Sequence, residues 1–189
     1  MALPATRIEF KLTLSHVERG INLTHALIVA RHPSETLEHV ALRVLGWCVL
    51  HEESLEMGPG LSDGDAPDLI AKDPRGDVTL WGTCGRVPWE KLKRALSQNS
   101  GARVCALFSE ERRAKDLEDE LAALPRAPKE LGRVEAWFFD TALVKALASE
   151  ARRQSWTVTV VDGHLYVDAD GTSHDGPLTR RDLGQIWQK

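Results

Sequence analysis

Asp68 follows Pro67 at the head of a short apolar run, and Glu35 and Glu38 stand just upstream at the start of a helical pattern. An acid on a strand, an acid from a neighbouring helix and a second acid on the adjoining strand form the donor set of a metal-dependent phosphodiesterase. Mg²⁺ takes one or two carboxylates and fills its remaining positions with water and phosphate oxygens. The metal then polarises the phosphoryl group and supplies or orients a hydroxide. Asp68 and Glu38 are the candidate metal ligands and catalytic acids, with Glu35 as the alternative to Glu38. Lys91, in a basic stretch with Lys93 and Arg94, is the candidate cation on the phosphate side. Two carboxylates about 5 Å apart repel by about 3 kcal/mol at an effective dielectric near 20, so the pair calls for a cation between them. Gly60, Gly64 and the acidic loop around them would form the mouth of such a site.

The second strand departs from that scheme. It reads Leu80-Trp81-Gly82-Thr83-Cys84-Gly85, with a hydroxyl where the next acid is expected. A hydroxyl can hydrogen-bond a metal-bound water but is a poor ligand for a hard cation. Asp77 shares the face parity of Thr83 but lies about 20 Å away along an extended strand. Asp63 or Asp65 would have to arrive from the loop. The same residues also have a plain structural reading. Pro-Asp is common turn chemistry, acids in a first helical turn complement the dipole, and a run of lysines is usually a solvated face.

For these side chains to meet, a helix must lie beside a strand pair. In "RIEFKLTLSHVERGINLTHALIVARH", Ile8, Phe10, Leu12 and Leu14 alternate with polar residues, and Ile21 and Leu23 resume the alternation after Gly20. This predicts a hairpin over roughly 6–15 and 20–30. Leu37, Val40, Ala41, Val44, Leu45 and Cys48 then recur at spacings of three and four, which is one helical face. Pro33 suits the first helical position and Glu35 the first turn. Glu38 falls on the margin of the stripe near Ala41 and Leu45, with Glu35 further round.

Short strands follow at about 67–71 and 77–84, then a helix over "PWEKLKRALSQN", a buried strand at "ARVCALFS" and a charged amphipathic helix ending near Pro125. "GRVEAWFFD" reads as a strand, "DTALVKALASEARRQ" as a helix capped by Asp140 or Thr141, and "WTVTVVDGHLYVDADG" as two strands around Asp162-Gly163. "LTRRDLGQIW" reads as a closing helix. The expected fold is α/β, a single domain over residues 1–189 whose mixed β-sheet is flanked by helices, with a β-hairpin at each end.

Apolar content of 42% and charged content of 28% are those of a globular chain. No apolar run approaches the roughly 20 residues that span a bilayer, and the N-terminus lacks a basic segment followed by an apolar one. A cytoplasmic protein without membrane attachment is expected. Cys48, Cys84 and Cys105 then read as reduced, mostly buried thiols. A net charge of −4 gives no support to a nucleic-acid partner, although it leaves room for a local basic groove. The seven histidines show no pair at ligand spacing, and no nucleophile elbow or phosphate-binding glycine loop occurs. Trp47, Trp81, Trp137 and Trp156 fall on apolar elements and read as core.

"ARHPSET" with Glu38 and Arg43 downstream, Leu55-Glu56, "GLS" at 60–62, "PDL" at 67–69, Lys72, Leu80-Trp81 and Gly85 together resemble the YaeQ family over nearly the whole chain. That resemblance implies a core similar to the PD-(D/E)XK (restriction-endonuclease-like) nucleases. Glu38 or Glu35 would be the helix glutamate and Asp68 the acid of Pro-Asp. In relatives the second strand runs leucine, tryptophan, apolar, acid, apolar, glycine. The family thus already has glycine in place of the nuclease lysine, matched by Gly85, and Thr83 removes the preceding acid as well. Arg86 stands where relatives carry glutamine. The resulting expectation is a degenerate metal site on a non-catalytic scaffold. The alternative is a Mg²⁺-dependent nuclease or phosphodiesterase with a rearranged site, in which a basic residue of 86–94 replaces the lysine.

Overall fold

The alternation at the N-terminus becomes two long antiparallel strands, Thr6–His16 (β1) and Ile21–Arg31 (β2), joined by a single 3₁₀ turn over Val17–Arg19. Their register pairs Leu12 with His25 and His16 with Ile21. Gly20 closes the turn at φ 62°, a conformation glycine adopts without steric cost. In this computed structural model, residues 5–59 and 65–186 are described.

Helix α1 (Leu37–Leu50) follows, then a two-residue strand β3 (Glu56–Met57), β4 (Leu69–Lys72) and β5 (Val78–Cys84). Next come α2 (Trp89–Gln98), β6 (Arg103–Phe108), α3 (Glu111–Ala122) and β7 (Val134–Phe139). The chain ends with α4 (Thr141–Ala146), β8 (Arg153–Val161), β9 (His164–Ala169), β10 (Thr172–Asp182) and a single turn, α5 (Leu183–Ile186). Among the described residues the strands form one ten-stranded sheet in the order β2-β1-β8-β9-β10-β7-β6-β5-β4-β3. β5, β6 and β7 run parallel, as do β1 and β8, and the other neighbours are antiparallel.

This sheet curls around α1, which touches β1 near one edge and β3 at the other. The α/β fold is therefore a nearly closed, barrel-like sheet with a helix in its hollow. Residues Val40 to Leu50 of α1 are all buried, so the helix is enclosed on every side rather than along one stripe. The inner core joins Leu45 and Trp47 of α1 to Phe10, Leu12, Trp156 and Leu165 of the wrapping strands. Phe10 and Trp156 meet edge to face at 5.1 Å. A second core lies on the outer face of β5–β7, where Leu92 and Leu96 of α2 and Leu117 and Leu121 of α3 cover Val104, Ala106 and Phe108.

Three expectations need correction. The first helix begins at Leu37, not at Pro33, because the Thr36 hydroxyl caps it by accepting from the His39 N–H at 3.2 Å. Glu35 therefore precedes the helix. The helix expected over "DTALVKALASEARRQ" stops at Ala146, and Arg153-Gln154 already belong to β8, paired in parallel with Glu9-Phe10 of β1. Most of "LTRRDLGQIW" is strand: Leu178–Asp182 pair with β7. A second hairpin turn, Asp170-Gly171, which has positive φ at both residues like Asp162-Gly163, feeds that strand. No helix among the described residues is long and apolar enough to cross a membrane.

Candidate functional site

Asp68 is fixed through its backbone before its side chain does anything. Its N–H donates to Gly82 of β5 at 2.8 Å, and its carbonyl accepts from the Gly58 N–H, just past β3, at 2.8 Å. The side chain then points at the N-terminal half of α1. Oδ2 accepts from the Thr83 hydroxyl at 3.1 Å and from the Cys84 N–H at 2.8 Å. Oδ1 lies 3.3 Å from His39 Nε2 and 3.6 Å from Arg43 Nε.

Glu35, not Glu38, is the acid from the helix segment that joins this network. One Glu35 oxygen takes a hydrogen bond from Arg43 at 3.1 Å and lies 3.7 Å from His39 Nε2, while the other accepts from the His32 N–H at 3.2 Å. Glu35 is 1% exposed and Arg43 0%. Glu38 is exposed on the first turn of α1. Leaving the helix cap to Thr36 lets Glu35 turn inward, where a buried carboxylate needs a cation.

Arg43 supplies that cation and also ties the sheet. One of its terminal nitrogens reaches the Ala30 carbonyl on β2 at 3.5 Å, and the other donates to the Gly58 carbonyl at 2.7 Å. β2 and β3 are the two outermost strands. One guanidinium thus bridges both edges of the sheet and both carboxylates.

Burial pushes the Asp68 carboxyl toward protonation, but His39, the Cys84 N–H and Arg43 outweigh it and hold its pKa below the usual value. Burial, helped by the Asp68 charge, drives the Cys84 thiol well above its ordinary pKa. Cys48 and Cys105 are pushed up to about 12 by burial, so all three thiols, free and buried, are poor nucleophiles.

The basic residues downstream point elsewhere. Lys91 lies over the Trp81 indole, 5.7 Å from its centroid; Lys93 pairs with Glu90 at 3.6 Å and Arg94 with Asp65 at 2.7 Å. The cations beside Asp68 come instead from α1. Gly85, expected from the resemblance to replace a nuclease lysine, has φ +77°, and a Cβ there would stand 3.2 Å from His39 Nδ1. The glycine leaves room for the imidazole. Sequence reading missed His39, and the available signal was the interval of four that links Glu35, His39 and Arg43. Gly60, Asp63 and Gly64, expected at the mouth, lie outside the described residues.

The fit of this donor set to Mg²⁺ follows from its occupancy. Each oxygen of Asp68 and Glu35 already faces a donor or a cation, and Arg43 holds the charge-neutralising position that a metal would take. The side chains as arranged do not fit a hard divalent ion without displacement of that arginine. Among the described residues no three His, Cys, Asp or Glu side chains gather in a metal-binding arrangement.

The similarity to known proteins extends over the whole of this architecture. The uncharacterised YaeQ protein of Escherichia coli K12 is 27% identical over 193 residues, covering 100% of this chain and 99% of its own. That of Salmonella typhi is 29% identical over 168 residues, covering 88% and 90%. The crystal structure of YaeQ from Xanthomonas axonopodis pv. citri superposes with a TM-score of 0.82 at 26% identity, covering 95% of this chain and 99% of that one. The Pseudomonas syringae YaeQ structure gives 0.81 at 26% identity, covering 95% and 97%. The family profile described as "YaeQ protein" matches residues 1–176, and the chain belongs to the YaeQ family.

Proposed function

We propose that this chain is a non-hydrolytic YaeQ scaffold, in which a nuclease-like core has exchanged its metal for a buried arginine and serves to bind a partner. The order of elements supports the nuclease-like part of the reading. A helix precedes an antiparallel strand pair, β4-β5, and parallel strands β6 and β7 follow through α2 and α3. In this reading Asp68 and Thr83 stand for the two strand acids of the nuclease pattern. The observation that carries the functional reading is Arg43, 0% exposed and within ion-pair distance of both Glu35 and Asp68. Thr83 suits that state, since a further acid beside Asp68 would add a third carboxylate to a site that has one guanidinium for two. With a net charge of −4, a protein partner is favoured over nucleic acid.

Calorimetric titration of Mn²⁺ and Mg²⁺ into the wild type, Asp68→Ala and Arg43→Gln tests the proposal. The wild type is expected to give no binding heat at millimolar metal. Arg43→Gln, with two stranded carboxylates, is expected to bind Mn²⁺. Wild-type binding that disappears in Asp68→Ala and tightens in Thr83→Glu would overturn the reading in favour of a rearranged Mg²⁺-dependent phosphodiesterase, and nuclease assays would follow.

A further inference from the structure

The parallel strands β6 and β7 lie side by side, but the chain leaves them toward opposite faces. After Phe108 it enters α3, whose Ala114, Leu117 and Leu121 belong to the outer core. After Phe139 it enters α4, whose Leu143 and Val144 belong to the inner core. Where connections from adjacent parallel strands part in this way, a crevice opens beyond the carboxyl ends of the strands, and ligands of open α/β sheets bind in such crevices. Here the crevice is a cleft of about 570 Å³, within the size range of small-molecule sites. It shares no lining residue with the Asp68 centre and stands whether or not that centre holds a metal.

Its chemistry is divided. The apolar floor is the half-buried Phe138 ring, backed by the buried Phe108 with centroids 5.6 Å apart. On the α3 side Glu111, Glu118 and Asp119 outnumber Arg112 and Lys115, while Glu110 is engaged by Arg113 at 3.7 Å. Asp140, also in the lining, uses its carboxylate to cap α4 by accepting from the Leu143 N–H at 2.7 Å. Among the described residues, the charge lining the β10 side is Arg181 alone, an exposed residue whose guanidinium lies 4.9 Å from the Phe138 centroid and has no ion-pair partner there. The cleft is therefore negative on one wall, positive on the other and apolar between them.

We propose that this cleft binds a small zwitterion with an apolar side chain, a free amino acid or a dipeptide. The fork of Arg181 takes the ligand carboxylate, the carboxylates of α3 take the ammonium, and the side chain lies on the phenylalanine floor. A purely anionic ligand would meet the acidic wall, and a purely cationic one would meet Arg181.

The test is titration of L-phenylalanine and of alanyl-phenylalanine into the full chain, followed by calorimetry or ligand-observed NMR. N-acetylphenylalanine and phenylalaninamide serve as singly blocked probes. Binding of a zwitterion is expected, with each blocked probe weaker by about tenfold or more. Arg181→Met is expected to abolish binding at unchanged melting temperature, because Arg181 is exposed. The proposal is overturned if neither zwitterion binds, if the blocked probes bind equally well, or if Arg181→Met binds as the wild type does.

Discussion

Arg43 carries a full charge to a place that water does not reach, and Glu35, Asp68 and two backbone carbonyls hold it there. Such an arrangement is not itself proof of stability, since desolvation offsets much of the attraction. Removing one member is another matter, because the others are left buried and unpaired. Arg43→Ala is expected to lower unfolding free energy by about 3–5 kcal/mol in urea denaturation. Arg43→Lys is expected to recover only part of that, since one ammonium cannot reproduce the spread of a planar fork. At this scale the sequence was half legible. Asp68 stood out because Pro67 and the following apolar run fix a strand entrance. Which glutamate faces it was decided by whether Thr36 or Pro33 starts the helix, a choice that a wheel projection does not contain. The role of Arg43 depends on the carbonyls of Ala30 on β2 and of Gly58 just past β3, which sequence proximity does not bring together.

Among the elements, the β3–β4 pairing, which Gly58 extends by donating to Asp68, is the one on which the centre most depends. A Cβ at Gly58 would stand 1.9 Å from the Pro67 carbonyl oxygen, and backbone cannot swing aside as a side-chain tip can. Gly58→Ala is expected to cost about 2–3 kcal/mol. It should also raise exchange of the amide at position 58, which donates to the Asp68 carbonyl, a change that hydrogen-exchange mass spectrometry can measure. Elements with a local signature were legible from sequence: the β1–β2 hairpin through its alternation and Gly20, and the β8–β9 turn through Asp162-Gly163. Those set by distant partners were not. "LTRRD" has helical propensity in isolation, yet its pairing with β7 makes it strand. The tail of the expected fourth helix is likewise taken into β8 by β1. Leu143 and Val144 alone gave no sign that α4 would end after six residues.

For the molecule as a whole, stability should depend on pH in two stages. Burial, reinforced by Arg19, lowers the pKa values of His16 and His51. The folded state therefore binds fewer protons at these sites than the unfolded chain, whose histidines titrate near 6.5, and stability is lost as pH falls through that value. The depressed Asp68 carboxyl acts in the same direction at lower pH: its contribution is complete above its unfolded pKa of about 3.9 and disappears as pH drops further. Urea midpoints measured from pH 7 to pH 3 should fall in both intervals, and Asp68→Asn should flatten the lower one while leaving the upper one intact. The parallel pairing of β1 with β8 has a consequence in time. Glu9 waits for Arg153 and His16 for Val160, with most of the chain between them. At about 5–20 residues per second, a ribosome takes roughly 7–30 s to deliver the partner strand. Throughout that interval the nascent hairpin presents one unpaired edge of β1, with Phe10, Leu12 and Leu14 uncovered. The newborn chain is then most open to chaperones, and to pairing with its neighbours on the same message.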